Sequence, residues 1–448
     1  MSSTPNESRS TNVRWLIIAM LMGFTILGQF NRFNITVVGA EKFIKSGAVT
    51  AEQMGIVYST FLFVYTCGML PGGWLIDRFG SKLSLTGMSV GLGCCVMLTG
   101  LLGYTQLSVA AMIGPLIVIR ALAGAFSVPL HPAAARNISL WFPLNERSTA
   151  NGLATAGALI GISMCYPVFG KLMDLVNWPN AFLICGFAMI LFAIVWSLLA
   201  SDDVSSHNWT NEAERHLVHA GVPVPARTTA SLRDMLKMFA NVQLLLVTLS
   251  YACYSYFQYL FTYWMGYYFN DVMKLTETQS RNAAFTVTIS MAAGMAVGGF
   301  LTDLLSRRFG FRIGCRIVAM TGMTAGAIFT VIGIQSGANQ LILLFSMALF
   351  SLGMCEGVFW TTAASLEKRR GGLACAFLNT GGNAGGLLAP IFTPYIARLT
   401  NWPTAIAVAC VICGLGALIW MLIDSERQSS EPVVASDDYP AVGSQPAA

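Results

Sequence analysis

Twelve apolar runs, each close to the length of one bilayer crossing, follow one another along this chain, and no other feature limits its fold as severely. They cover approximately 14–38, 53–76, 83–103, 109–131, 149–173, 180–200, 242–269, 283–305, 313–334, 339–364, 372–398 and 403–423. About 20 residues of helix cross ~30 Å of hydrocarbon. A helix satisfies its own backbone hydrogen bonds, which lipid cannot do. The runs are continuous rather than strictly alternating, which argues against a β-barrel. Charged residues make up only 10% of the chain, against roughly a quarter in soluble domains. The expected fold is therefore an all-α integral membrane protein with twelve transmembrane helices. The first run, starting near Trp15, lacks a small-residue cleavage site and reads as a span rather than a signal peptide.

Lysine and arginine set the orientation. With the N-terminus in the cytoplasm, 18 of the 26 lie in cytoplasmic segments, six in outer ones and two, Arg32 and Arg120, inside spans. This bias predicts that both termini are cytoplasmic. The net charge of +5 is then a signature of topology and gives no reason to invoke nucleic acid. The 11 cysteines all fall in apolar runs and read as helix-packing residues.

The chain also repeats itself. "GWLIDRFGSK" at 73–82 is matched by "GFLTDLLSRR" at 299–308, "NGLATAG" at 151–157 by "GGLACAF" at 371–377, and "NWPNAF" at 177–182 by "NWPTAI" at 401–406. The offsets of 226, 220 and 224 residues are nearly equal. They predict two pseudo-symmetric six-helix bundles around a central cavity. The expected divisions are a cytoplasmic N-terminal tail at 1–13, bundles at 14–200 and 242–423, a cytoplasmic linker at 201–241 and a disordered cytoplasmic tail at 424–448. Within the linker, 231–239 reads as a short amphipathic helix on the membrane surface.

The stretch "GGWLIDRFGSK" carries the pattern G-x-L-x-D-R-x-G-x-K. With twelve spans in two halves, it is similar to the signature loop of the major facilitator superfamily. The segments "YTCGMLPGGWLIDRFG", "RALAGAFSVPLHP", "WFPLNERSTANG" and "LNTGGNAGG" resemble, more narrowly, the anion:cation symporter branch, which includes hexuronate and galactonate permeases. The resemblance implies alternating access and a gating role for Asp77, with Arg78, Arg136 and the repeat-equivalent Asp303. Asp77 is expected to engage Arg136 or the start of span 11.

Charged residues inside spans are rare and face a cavity or a partner. The first six spans offer Arg32 and Arg120 almost no acid: Asp77 and Asp174 sit at span ends, and Glu41 and Glu52 fall in a predicted loop. Two unneutralised guanidinium groups suit a carboxylate cargo, which arginine grips through two parallel hydrogen bonds. The remaining substrate-binding candidates are Gln29, on the face of Arg32, Tyr65, Tyr254, Gln258 and Trp264 in an aromatic-rich span 7, Trp360, Asn379 and Asn383. The glycines of "GGNAGG" read more simply as sites of close helix approach.

Proton-coupled relatives in the branch resemblance carry Asp before the span-1 Arg and Glu seven residues after the span-4 Arg. Here these positions are Asn31 and Ser127. Glu356 in span 10 is then a candidate proton site or an ion partner for Arg120, since a carboxyl among apolar groups can exchange its proton near neutral pH. His131 is a weaker candidate that more simply ends span 4.

These features predict a secondary active transporter of a small organic anion, with a sugar acid such as a hexuronate or aldonate favoured. It would work by alternating access, with a proton or else sodium as coupling ion. Exchange, sodium-coupled transport and uniport of another carboxylate are the alternatives. There is no GxxxxGK[ST] loop for ATP, and no cofactor or metal is expected. A membrane enzyme would need a catalytic constellation, and a sensor would need a signalling domain; the chain shows neither. The expected setting is a bacterial inner membrane, as a multi-pass monomer in contact with lipid.

Overall fold

The computed structural model describes residues 10–219, 238–367 and 371–424. The Asp77 side chain, residues 231–237 of the surface helix expected at 231–239, and residues 425–448 of the disordered tail expected at 424–448 lie outside the described residues. Among the described residues the structure is helical, with no strand.

Twelve spans are present, labelled here α1–α12, although helical continuity conceals some boundaries. α1 is Val13–Val38, and its axis runs on through Gly39–Ile44. Ala51–Leu102 is one 52-residue helical run broken at Gly80, whose φ of 83° is accessible to glycine at little cost, giving α2 and α3. α4 is Ile113–Ser127 followed by Leu130–Trp141. α5 begins at Leu144 and passes through Cys165–Phe169 into Gly170–Leu199, which breaks at Asn177 to start α6. The second half comprises α7 (Val242–Tyr267), α8 (Glu277–Phe309), α9 (Phe311–Gly333), α10 (Ala338–Leu366), α11 (Gly371–Gly386 and Ala389–Leu399) and α12 (Trp402–Ile419). Nine helical stretches among the described residues are long and apolar enough to cross a membrane, and one of them, Thr149–Leu199, is long enough for two spans.

The internal repeat has a local physical basis. Gly80 between α2 and α3 and Gly310 between α8 and α9 both take positive φ, 83° and 87°, so the same tight reversal closes the same pair of spans in each half. Each "NWP" places an Asn side chain on the next helix's free N–H groups. Asn177 Oδ1 accepts from Asn180 N at 3.2 Å and Asn401 Oδ1 from Thr404 N at 2.8 Å. In both copies proline follows in the first turn, where no helical N–H is needed. The two halves meet along α1–α7, α2–α11 and α5–α8. There Ser59 Oγ donates to Leu387 O at 2.7 Å, and Tyr166 Oη donates to Thr262 O at 2.7 Å.

The reversals at Gly80 and Gly310 lie at the end of the molecule that holds the linker; the opposite end is called the far end below. The first part of the linker packs firmly. Asp202 caps α3, its Oδ1 accepting from Lys82 N at 2.7 Å, while Trp141 Nε1 donates to Ser201 O. The helix Glu212–His219 delivers Glu214 to the start of α1, where Asn12 makes no side-chain cap. The Glu214 carboxylate accepts from Thr11 Oγ1, Val13 N and Arg14 N at 2.5, 3.1 and 3.0 Å and pairs with Arg14 at 3.3 Å. Burial pushes this carboxyl up, but those donors outweigh it and hold it below the usual glutamate value of 4.5. Its contribution to stability is therefore complete above that value and is lost as pH falls through the lower folded one. Glu214→Ala leaves buried donors unpaired and is expected to cost about 3 kcal/mol, read as a lower melting temperature at pH 7. The gap to the unsubstituted chain should narrow in acid.

The sequence boundaries needed one correction. Glu41 is not in a loop. It lies in the helical continuation of α1, and Glu52 stands in the first turn of α2. The apolar run ends at Val38, but the backbone hydrogen bonding does not.

Candidate functional site

α1, α2 and α4 converge where their inward faces meet α7 and α11, and there the two span arginines come together. Arg32 is 7% exposed and Arg120 4%. Arg120 Nη2 donates to the Arg32 backbone carbonyl at 2.9 Å. The Phe61 ring is shared between them, its centroid 5.0 Å from Arg32 Cζ and 4.6 Å from Arg120 Cζ. The rings of Phe33, Tyr65 and Tyr259 complete an aromatic surround for Arg32 at 5.0, 5.4 and 5.8 Å. No carboxylate pairs with either guanidinium among the described residues, and the Nε atoms of both are buried without a hydrogen-bond partner. Ring faces and one carbonyl offset part of the cost of two adjacent buried cations. What remains is a concentrated positive field with unused N–H donors.

The second half reaches this site through Tyr259. Arg32 Nη2 donates to Tyr259 Oη at 3.3 Å, Tyr259 Oη donates to Asn383 Oδ1 at 3.0 Å, and Asn383 Nδ2 donates to Asn379 O and Oδ1 at 2.9 and 3.0 Å. A polar chain thus crosses from one half to the other. Tyr259 can stand there because α11 offers glycine opposite it. A Cβ on Gly386 would lie 2.1 Å from the Tyr259 ring, and one on Gly382 2.5 Å from Tyr251.

The other candidates divide by location. Gln29 Nε2 is 3.2 Å from His131 Nε2. With Arg32, Tyr65, Ser127 and His131 it lines a small hollow beside the arginines. Ser127 Oγ is turned back to Ala123 O at 2.7 Å. Asn31 points into the first bundle, donating to Leu27 O at 3.0 Å and lying 3.9 Å from Met189 Sδ, though it also borders a hollow at Arg120. Tyr254 stacks on Tyr251, Gln258 Nε2 lies 3.6 Å from Met291 Sδ, and Trp264 packs against Tyr58, Tyr267 and Trp402. None of these three bonds to an arginine among the described residues.

Glu356 forms its own cluster inside the second half. Its Oε1 accepts from Tyr251 Oη at 2.9 Å and Trp360 Nε1 at 2.8 Å, while Oε2 is buried without a partner. The expected alternative, an ion pair with Arg120, is not formed among the described residues. At the linker end, Arg136 Nη1 donates to the Ile76 carbonyl, Arg78 is exposed beside the Phe79 ring, and Asp303 is exposed on α8.

Read residue by residue, span 7 and span 2 do not single out Tyr259 and Phe61. The usable signal was spacing: Tyr251, Ser255, Tyr259 and Tyr263 recur every four residues along one face of α7, opposite Gly382 and Gly386 with the same spacing on α11.

Residues 13–367 and 310–442 match the sequence profile of the Major Facilitator Superfamily. The chain belongs to this superfamily. Members are multi-pass membrane transporters rather than enzymes, consistent with the helical architecture above. The chain is 26% identical over 409 residues to the probable galactarate/D-glucarate transporter GudP of Bacillus subtilis, covering 89% of each. It is 25% identical over 441 residues to the D-galactonate transporter of Escherichia coli O6:H1, covering 93% of this chain and 97% of that one. It is also 24% identical over 419 residues to the probable sulfoacetate transporter SauU of Cupriavidus necator, covering 92% and 94%. Among solved structures, it superimposes on a bacterial homologue of the human lysosomal transporter Spinster, in an inward-facing and unoccupied conformation, with a TM-score of 0.73 and 15% identity. That match covers 93% of this chain and 97% of the other, and supports the superfamily fold.

Proposed function

We propose that this superfamily member carries a small organic anion, favouring a sugar acid, across a bacterial inner membrane by alternating access of its two halves, with both termini in the cytoplasm. The observation that carries this reading is the pair of adjacent, buried guanidinium groups that have no carboxylate partner among the described residues, at the contact between the halves. A cargo carboxylate is the group that neutralises them, and the Arg32 fork can grip both its oxygens. Tyr259, Asn383 and Asn379 supply phenol and amide groups suited to the hydroxyls of a sugar acid. The named cargoes of the relatives GudP and the D-galactonate transporter support the same class.

Proton symport is the favoured coupling mode, with Glu356 as the proton-carrying group. Asn31 and Ser127 cannot serve, since neither side chain ionises in this range. Exchange, sodium coupling and uniport are distinguished by imposing one gradient at a time across proteoliposomes. At the linker end, Asp77, Arg78, Arg136 and Asp303 are proposed to brace the gate.

A thermal-shift screen of galactarate, glucarate, galactonate and sulfoacetate on the purified protein, followed by uptake of the stabilising compound into proteoliposomes, tests the cargo class. If none of these or other organic anions stabilises the protein, the reading fails. Tyr259→Phe removes one hydroxyl and leaves Asn383 Oδ1 and Arg32 Nη2 short of a partner. It is expected to weaken anion affinity about tenfold, the effect of losing one hydrogen bond to a charged group, measured by titrating the same thermal shift.

A further inference from the structure

We infer that Arg281 is a latch that holds the far end of the two halves shut. It stands in the second turn of α8, in the second half, yet its guanidinium is filled by acids from the first. Arg281 Nε donates to Glu41 Oε1 at 2.8 Å and Nη2 to Glu41 Oε2 at 2.6 Å. The adjacent edge, which shares Nη2, binds Asp174 of α5 in the same two-pronged way, Nη1 to Oδ2 and Nη2 to Oδ1, the latter at 2.9 Å. Arg281 and Glu41 are 6% and 5% exposed at the side chain, and Asp174 is half open at 49%. Glu277, one turn before Arg281, lies 3.8 Å from it and holds Lys45 of the first half at 2.8 Å. Arg398 of α11 meets Glu52 of α2 at 2.8 Å nearby.

Three features distinguish this cluster from ordinary surface ion pairs, which are worth little. The central cation is buried, both acids bind it through two oxygens, and every pair named except Arg281–Glu277 crosses between the halves. Parting the halves at this end must break both forks at once and leave Glu41 without its cation, which is costly for a buried group. The seat is shaped for the guanidinium. A Cβ on Gly170 would lie 2.3 Å from Arg281 Nε and 2.7 Å from its Cζ, so a side chain here would push the guanidinium out of its seat. The anion-binding arginines are not part of the cluster; the latch concerns which end of the cavity is closed.

The inference rests on alternating access and not on the identity of the cargo, so its test uses no anion. Hydrogen–deuterium exchange is followed in the full-length protein in nanodiscs, for the parent, the shape-conserving pair Glu41→Gln with Asp174→Asn, and Gly170→Ala. The last keeps all the charges but puts a methyl group where the flexible guanidinium lies. In both variants, amides at 39–50 and 268–280 are expected to exchange at least about tenfold faster, while amides at 66–80 and 372–384 become slower as the opposite end closes. Should the charge-neutralised pair lose protection throughout, Gly170→Ala decides. Unchanged exchange in Gly170→Ala, or equal acceleration at both ends, overturns the latch.

Discussion

Arg32→Ala is expected to abolish the anion-induced thermal shift and reduce uptake to background. Removing one member of a buried, hydrogen-bonded charge pair costs about 2–5 kcal/mol, which is roughly 30-fold to several thousand-fold in affinity. Arg32→Lys keeps the charge but loses the planar fork and should recover only part of the loss. Arg32→Ala also makes a second, opposite forecast. Among the described residues Arg32 has no carboxylate partner, and aromatic rings and the Tyr259 hydroxyl stand against it. Removing a buried, uncompensated charge should therefore leave the anion-free melting temperature unchanged or raise it. A variant that melts much lower without anion, yet keeps its anion response, would show that Arg32 is a structural residue.

Glu356→Gln is expected to eliminate accumulation driven by a pH gradient while leaving anion exchange across the membrane intact. Glutamine retains an oxygen to accept from Tyr251 and Trp360, so the local packing is kept and only the ionisable proton is lost. Among the described residues, Tyr251 and Tyr254 from α7 and Trp360 from its own helix face Glu356, and none of them carries positive charge. Uptake measured with an imposed pH gradient, beside counterflow without one, separates the two effects. PH-driven accumulation that survives in Glu356→Gln would remove this residue from coupling, and a response to an imposed sodium gradient alone would favour sodium.

Much of the fold was legible because a bilayer leaves so few solutions. Apolar runs must become helices, repeated loops imply repeated bundles, and the "NWP" and Gly80 signals act through the nearest few residues. The continuation of α1 to Ile44 was hidden because the apolar run stops before the helix does. Within the candidate site, Arg32 and Arg120 stood out as charges in spans, which is a property of single positions. Tyr259 did not, since seven tyrosines crowd one segment of span 7 and the one facing Arg32 is selected by the rotation of α7 against the glycines of α11.

The sequence alone determined that the chain is a duplicated helical membrane protein with two intramembrane cations and few acids near them. Local hydrogen bonding and the cost of charge in lipid depend on neighbours along the chain, which the sequence displays. Tertiary structure decided the rest: that Arg120 reaches the Arg32 backbone, that Glu356 meets tyrosine and tryptophan rather than arginine, and that Arg281 closes on acids 240 and 107 positions away. These contacts follow from how two bundles rotate and lean on each other, and that is set by side-chain packing summed over many helices rather than by any one of them.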